Sequence, residues 1–320
     1  MAKEKNTAKE LKEKLFMDKK NAGLTMSDAE LKKADKFCEG YKEFLDAGKT
    51  EREAAIKAVE LAKKAGFSEF VVGKKYKAGD KVYYLNRGKA LILAVIGKES
   101  IDKGVKILAA HIDSPRLDLK QNPLYEDNEL AFFKTHYYGG IKKYQWTTIP
   151  LALHGVIVKG DGSVVEVCIG EKDDEPVFVV TDLLPHLAQE QMKRPANKII
   201  TGEELNILIG SRPFKDDEAS ERVKLNIMNM LFEKYGIVEE DFLSAELEAV
   251  PAFKARDIGF DRSLLGAYGQ DDRVCGYTSL MATIELKNAP AKTVVTVLTD
   301  KEETGSDGNT GLQSAYLEYF

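Results

Sequence analysis

Three short segments hold the residue types most able to do chemistry. The first is His111-Ile112-Asp113, directly after the apolar run KILAA. In an extended segment, residues two apart share a face, so the imidazole and the carboxylate project together. The carboxyl end of a strand is where α/β folds place their sites. A histidine there can ligate a metal while the acid orients its ring. Alone, such a pair is more often a surface histidine beside an unrelated acid. The second segment is Gly269-Gln270-Asp271-Asp272-Arg273, before an apolar stretch. An aspartate at a loop-to-helix junction can simply cap the helix, and Asp272 suits that role. An aspartate also offers two oxygens that can bridge a pair of ions about 3.5–4 Å apart. The third is Thr299-Asp300-Lys301-Glu302-Glu303-Thr304-Gly305, after the run TVVTVL. Adjacent carboxylates repel, so burying both near a strand end is costly without a cation. With metals present, one glutamate can ligate while the other accepts a proton from an activated water. The bland alternative is a solvated acidic turn. Taken together, one histidine, one bridging acid and a base–ligand pair make most of a co-catalytic metal hydrolase site.

Histidine is scarce: His111, His136, His154 and His186 are the four, and none follows residue 186. A metal site in this chain must therefore lean on carboxylates. Other chemistry finds less support. DKEETGSDG lacks the alternating acids and closing glutamate of an EF-hand, and Gly73-Lys74-Lys75 lacks the rest of a phosphate loop. No nucleophile elbow places Ser114 or Ser306. Cys275 falls on an apolar helix and reads as core.

These segments need elements to hold them. Residues 1–20 read as a polar helix. Ser27 with Glu30, and Thr50 with Glu53, form capping boxes that open helices running to about residue 47 and over Glu51–Ala65, and Gly66 suits the stop. Ala90–Ile96 and Val105–Ala110 read as buried strands. From Lys134 to Val180, aromatic and β-branched residues dominate. Asp161-Gly162 marks a hairpin there, and Pro176–Val180 reads as a further strand. Val223–Tyr235 has helical spacing. Asp272–Leu286 reads as a helix, Thr293–Leu298 as a buried strand, and Gly311–Tyr319 as the start of a helix. The fold class is therefore α/β, with a catalytic domain in two parts, 1–119 and 249–320, interrupted by a β-rich insert over 120–248.

Composition narrows the function. The 320 residues carry 47 basic and 52 acidic side chains, a net charge of −5, which argues against a dedicated nucleic-acid binder. No apolar run is long enough to span a bilayer, and the Lys/Glu-rich start lacks the apolar core of a signal peptide. Cys38, Cys168 and Cys275 form no paired framework or CxxC knuckle. A reducing cytoplasm fits this usage.

The ordered set HIDSPRLDLK, YGGIKKYQW, PLALHGVIVKGDG, LPHLA, GQDDRVC and KEETGS resembles the M18 aminopeptidases, the family of aspartyl aminopeptidase and bacterial aminopeptidase I. The resemblance runs from about residue 80 to the end. It implies a zinc-peptidase-like α/β/α domain carrying a β-rich dimerisation domain, peptide substrates and a homo-oligomer built from dimers, up to a dodecamer. It implies two divalent ions per subunit, zinc first, with cobalt or manganese as alternatives. On the same grounds, His111 ligates one metal, Asp113 orients it, Asp271 bridges both, Glu302 is the general base and Glu303 ligates the second metal. His186 reaches a neighbouring subunit's site, while His136 and His154 are structural. Family members also draw a further acidic ligand and a C-terminal histidine from a later segment, and this chain has no counterpart to that histidine. The expectation is a peptidase's first two-thirds, each metal short of one ligand and apolar faces exposed. The alternatives are an inactive fragment that only assembles through its β insert, and a related metallocarboxypeptidase.

Overall fold

The computed structural model describes residues 7–216, 218 and 220–320. The start of the helix expected over residues 1–20 lies outside these residues. Two compact units are present, 7–41 and 42–320.

In the first unit, α1 (Ala8–Leu15) opens on a Thr7/Glu10 capping box. The long helix α2 (Asp28–Ala47) begins there, its N-terminus held by Glu30 Oε2 accepting from the Ser27 amide at 2.8 Å. In the second unit, α3 (Glu51–Lys64) opens on the Thr50/Glu53 capping box and buries Ala54, Ala55, Ala58 and Ala62. Small side chains on that face let the helix approach the sheet beneath it.

The chain then builds β1 (Ser68–Glu69), β2 (Lys81–Asn86), β3 (Ala90–Val95) and β4 (Lys106–His111). It continues into β5 (Arg116–Asp127), β6 (Leu130–Tyr138), β7 (Leu151–Val158), β8 (Val164–Ile169), β9 (Val179–Val180) and β10 (Ile207–Gly210). After α4 (Arg222–Tyr235) come β11 (Ala245–Pro251), the short hairpin β12 (Arg256–Ile258) and β13 (Leu264–Gly266), then α5 (Gln270–Ile284), β14 (Val294–Thr299) and α6 (Tyr316–Tyr319).

Two main sheets result. The first runs β1-β2-β3-β14-β4, and the second β8-β7-β11-β5-β6-β10-β9. The second sheet already begins at Arg116, and its strand β11 extends to Pro251. Its core gathers Leu117, Phe133, Trp146, Leu153, Ile157, Ile207, Phe242 and Leu247. Gly155 lies where β7 crosses β11 so closely that a Cβ would fall 1.9 Å from the Glu246 carbonyl oxygen, so no larger residue fits. The Asp161-Gly162 turn joins β7 to β8 as an antiparallel pair. Only Val179–Val180 of the Pro176–Val180 segment is strand, and Phe178 adds an isolated bridge to Leu151.

In the first sheet, β3 and β14 are buried along their whole length, as their unbroken apolar sequences require. The pairing of β14 with β4 positions the site. The two strands run parallel, and Thr299 lies opposite His111. The ladder continues past both ends, with the Ile112 amide donating to Thr299 O at 2.8 Å. The HxD segment and the acidic turn therefore leave the sheet side by side. Cys275, read as core, is exposed on α5. Its helix is amphipathic in space, and Gly276, Tyr277 and Leu280 take the buried face.

Candidate active site

His111 ends β4 and is nearly buried. Its Nδ1 lies 3.0 Å from the Asp113 carbonyl oxygen and 3.3 Å from Asp113 Oδ1. Nδ1 is therefore the donor, and Nε2 is left facing Asp271 Oδ1 at 3.3 Å and Glu302 Oε2 at 3.8 Å. Ligand atoms of His111, Glu302 and Glu303 all lie within 4.8 Å of one another. The carboxylates of Asp271, Glu302 and Glu303 thus gather at the imidazole.

Asp113 is the hub beneath them. Its side chain is 0% exposed. Oδ1 accepts from the Glu302 amide at 3.2 Å, and Oδ2 accepts from the Glu303 amide at 3.2 Å and from the Tyr138 hydroxyl at 2.6 Å. Burial opposes its charge, but His111, Tyr138 and the Glu303 amide outweigh that and hold its carboxyl below the ordinary range. Burial also disfavours the His111 imidazolium. Asp113, with help from Glu302, overcomes this and lifts the ring to about 9. Burial raises Glu303, and the charges of Asp113, Asp271 and Glu302 add to the rise against the pull of His111.

The acidic turn is locally forced. Lys301 takes a left-handed conformation at φ 71°, which costs a non-glycine residue energy. Its amide donates to Asp300 Oδ1 at 2.7 Å, and its carbonyl accepts from the Ser306 amide at 2.7 Å. Asp300 is itself fixed by Thr310 Oγ1 at 2.6 Å. This turn throws Glu302 and Glu303 across the end of β4.

Asp271 comes from the other side. Gly269, at φ 77°, caps α5, and both Asp271 and Asp272 keep non-helical angles inside the first turn. The bond between them is cis. Gly269 takes the cap position, and Asp271 projects with its side chain 87% exposed. Arg273 secures this junction, a role not evident from spacing. It is fully buried, and donates to Ile112 O at 2.7 Å and Lys49 O at 3.1 Å. An arginine inside an apolar helix was the available signal.

His186 lies in an exposed turn between β9 and β10. Among the described residues, no hydrogen bond or ion pair joins it to this cluster. His136 stacks on Tyr137 at 5.3 Å. His154 belongs to a separate buried network. Its Nδ1 meets Glu53 Oε1 at 2.7 Å and its Nε2 meets Glu171 Oε1 at 3.1 Å, and Lys49 pairs with Glu171 at 2.6 Å. Glu53, His154 and Cys168 together also satisfy the spacing of a metal site, but both ring nitrogens are already taken by carboxylates.

The His111 cluster has no such balance. Among the described residues, no lysine or arginine pairs with Asp271, Glu302 or Glu303. One imidazole nitrogen and several carboxylate oxygens around a shared space make a donor set suited to a divalent ion such as zinc.

Residues 44–320 match the family described as aminopeptidase I zinc metalloprotease (M18). The probable M18 family aminopeptidase 1 of Clostridium acetobutylicum is 58% identical over 308 residues, 95% of this chain and 66% of that protein. The chain thus spans just under two-thirds of that relative's length. The crystal structure of aminopeptidase I from the same organism covers 95% of this chain and 67% of its own, at 53% identity and a TM-score of 0.87. That of an M18 aminopeptidase from Thermotoga maritima covers 94% and 65%, at 44% identity and 0.88.

Proposed function

The chain belongs to the M18 aminopeptidase family, and from that premise we propose that it carries the catalytic centre of a metalloaminopeptidase that removes N-terminal residues from peptides. His111 would hold one divalent ion and Glu303 a second, with Asp271 shared between them. Zinc is the first candidate, with cobalt or manganese as alternatives. The observation that carries this reading is the convergence of Asp271, Glu302 and Glu303 on His111, with no lysine or arginine among the described residues paired to the three carboxylates. When bound, the ions supply Lewis acidity toward the scissile carbonyl and the attacking water.

The chain's own residues do the rest. Glu302 is the general base. Its side chain is 55% exposed, so it faces the space where water and peptide meet, and it passes the water's proton to the leaving amine. Asp113 keeps the proton of His111 on Nδ1, which leaves Nε2 free to ligate. The convergence favours catalysis over a purely assembling role.

The domain of the second sheet is the proposed dimerisation module of a homo-oligomer, built from dimers. Leu183, Leu184 and Leu187 are exposed around His186, which supports an interface there that carries His186 toward a neighbouring site. A cytoplasmic location suits the three free cysteines. No helix of the described residues is long and apolar enough to cross a membrane.

Glu302→Gln tests the central assignment. Metal content and folding stay at wild-type levels, while turnover falls by about 10²–10⁴, the range of a lost general base. Full activity in that variant removes Glu302 from the role.

A further inference from the structure

We propose that Tyr138, at the end of a strand of the second sheet, is a positioning residue that locks the Asp113 carboxylate and so keeps His111 and the Glu302–Glu303 turn in register. The proposal rests on the metallopeptidase reading and deepens it.

Asp113 has two oxygens and four donors. His111 Nδ1 and two amides come from the domain that holds the site. Only the Tyr138 hydroxyl, at 2.6 Å, comes from the second sheet. It is the shortest of the four contacts. It shares Oδ2 with the Glu303 amide, so it sets the rotation of the carboxylate on which both glutamates hang. Two cations flank the ring, with Arg116 at 4.0 Å and Lys301 at 5.2 Å from its centroid. Positive charge over an aromatic face draws density from the ring and sharpens the hydroxyl as a donor. Burial first, then the hydrogen bond to Asp113, hold the phenol far above its ordinary range, so it stays protonated and donating.

The support reaches further back. Arg116 is pinned by Glu51 at 2.9 Å, Asp118 at 2.8 Å and Glu248 at 3.2 Å. Glu51 belongs to α3 and Glu248 to β11. A continuous chain of contacts therefore runs from the helix and the second sheet through Arg116 and Tyr138 to Asp113 and His111. Behind Tyr138, Gly139 (φ 70°) passes Glu303 so closely that a Cβ would lie 3.1 Å from the Glu303 Cβ. The strand end and the acidic turn thus fit directly against each other.

Tyr138→Phe keeps the ring and its cation contacts and removes only the hydroxyl. The test measures zinc affinity of the intact protein by chelator competition, alongside kcat and KM. The expected result is a 10–100-fold loss of zinc affinity, the range for residues that orient metal ligands. A lower kcat with little change in KM accompanies it. Tyr138→Leu, which also removes the ring, separates packing from positioning, because only that variant lowers the melting temperature of the metal-free protein substantially. A Phe variant with wild-type zinc affinity and kcat overturns the role of Tyr138 while leaving the metallopeptidase reading in place. A wild-type protein that takes up no zinc overturns both.

Discussion

His111 and His154 each sit beside two glutamates, yet the surroundings differ in sign. Around His154, the carboxylates of Glu53 and Glu171 are met by the ring itself, by Lys49 and by Lys254. A second network beside it is also met by protein cations, Arg116 and Lys89, although Glu248 Oε2 has no hydrogen-bond partner. Glu51 is held to about 2, against the cost of burial, by Arg116 and Lys89, while burial and the Glu51 charge push the Glu248 carboxyl well above its ordinary value. Around His111, three carboxylates crowd a space that no lysine or arginine of the described residues enters. The same residue types therefore make a finished ion network in one place and an unfinished one in the other. The carboxylates of the unfinished cluster keep oxygens open to solvent, so it is the one with room for a cation from outside. Spacing alone does not make a metal site, since Glu53, His154 and Cys168 meet the spacing too.

The comparison is easiest to break at its open end. His111→Ala removes the only imidazole of the cluster. Zinc binding at the site and turnover both fall below detection while the circular dichroism spectrum stays native. Retained zinc stoichiometry in that variant moves the metal centre elsewhere.

The closed networks respond in stability instead. Glu51→Ala leaves Arg116 and Lys89 without their fully buried partner, and removing one member of such a pair costs about 3–5 kcal/mol. Denaturant unfolding of the metal-free protein reads this loss directly. A change under about 1 kcal/mol means that the network is not closed as described.

His154 sharpens the contrast through pH. Burial disfavours its imidazolium, but hydrogen bonds to Cys168, Glu171 and Glu53 lift the ring from 6.5 to about 11. A group with a raised folded value contributes stability fully below its unfolded value and loses it as pH rises through the folded one. The contribution is therefore complete below pH 6.5 and fades toward pH 11. His154→Gln flattens the melting temperature over that window. An unchanged slope shows that the ring carries no charge in the folded protein. The smallest effect is expected at Lys254, which is partly exposed. Lys254→Ala changes stability by about 1 kcal/mol or less, with no change in metal uptake.

Much of this was legible in the sequence. The capping boxes at Ser27/Glu30 and Thr50/Glu53 marked two helix starts, because a hydroxyl and a glutamate three residues on satisfy free amides locally. The runs KILAA and TVVTVL marked two strands whose ends carry the chemistry-bearing segments, but the first, expected to be buried, is the edge strand β4, with Ile107 exposed. Long-range partners were not legible. That Tyr138 meets Asp113, or that Arg116 joins Glu51 to Glu248, depends on how strands from distant segments register. Local pattern also failed at Cys275, since an apolar helix does not declare which face is buried, and at Asp272, where Gly269 takes the cap.

The account stands or falls on where a metal ion goes. Crystals of the intact protein soaked in zinc, with data collected across the zinc absorption edge, would locate it by anomalous scattering. The account predicts zinc peaks among His111, Asp271 and Glu303, and none at His154. A peak between Glu53, His154 and Cys168, with none at His111, would contradict it.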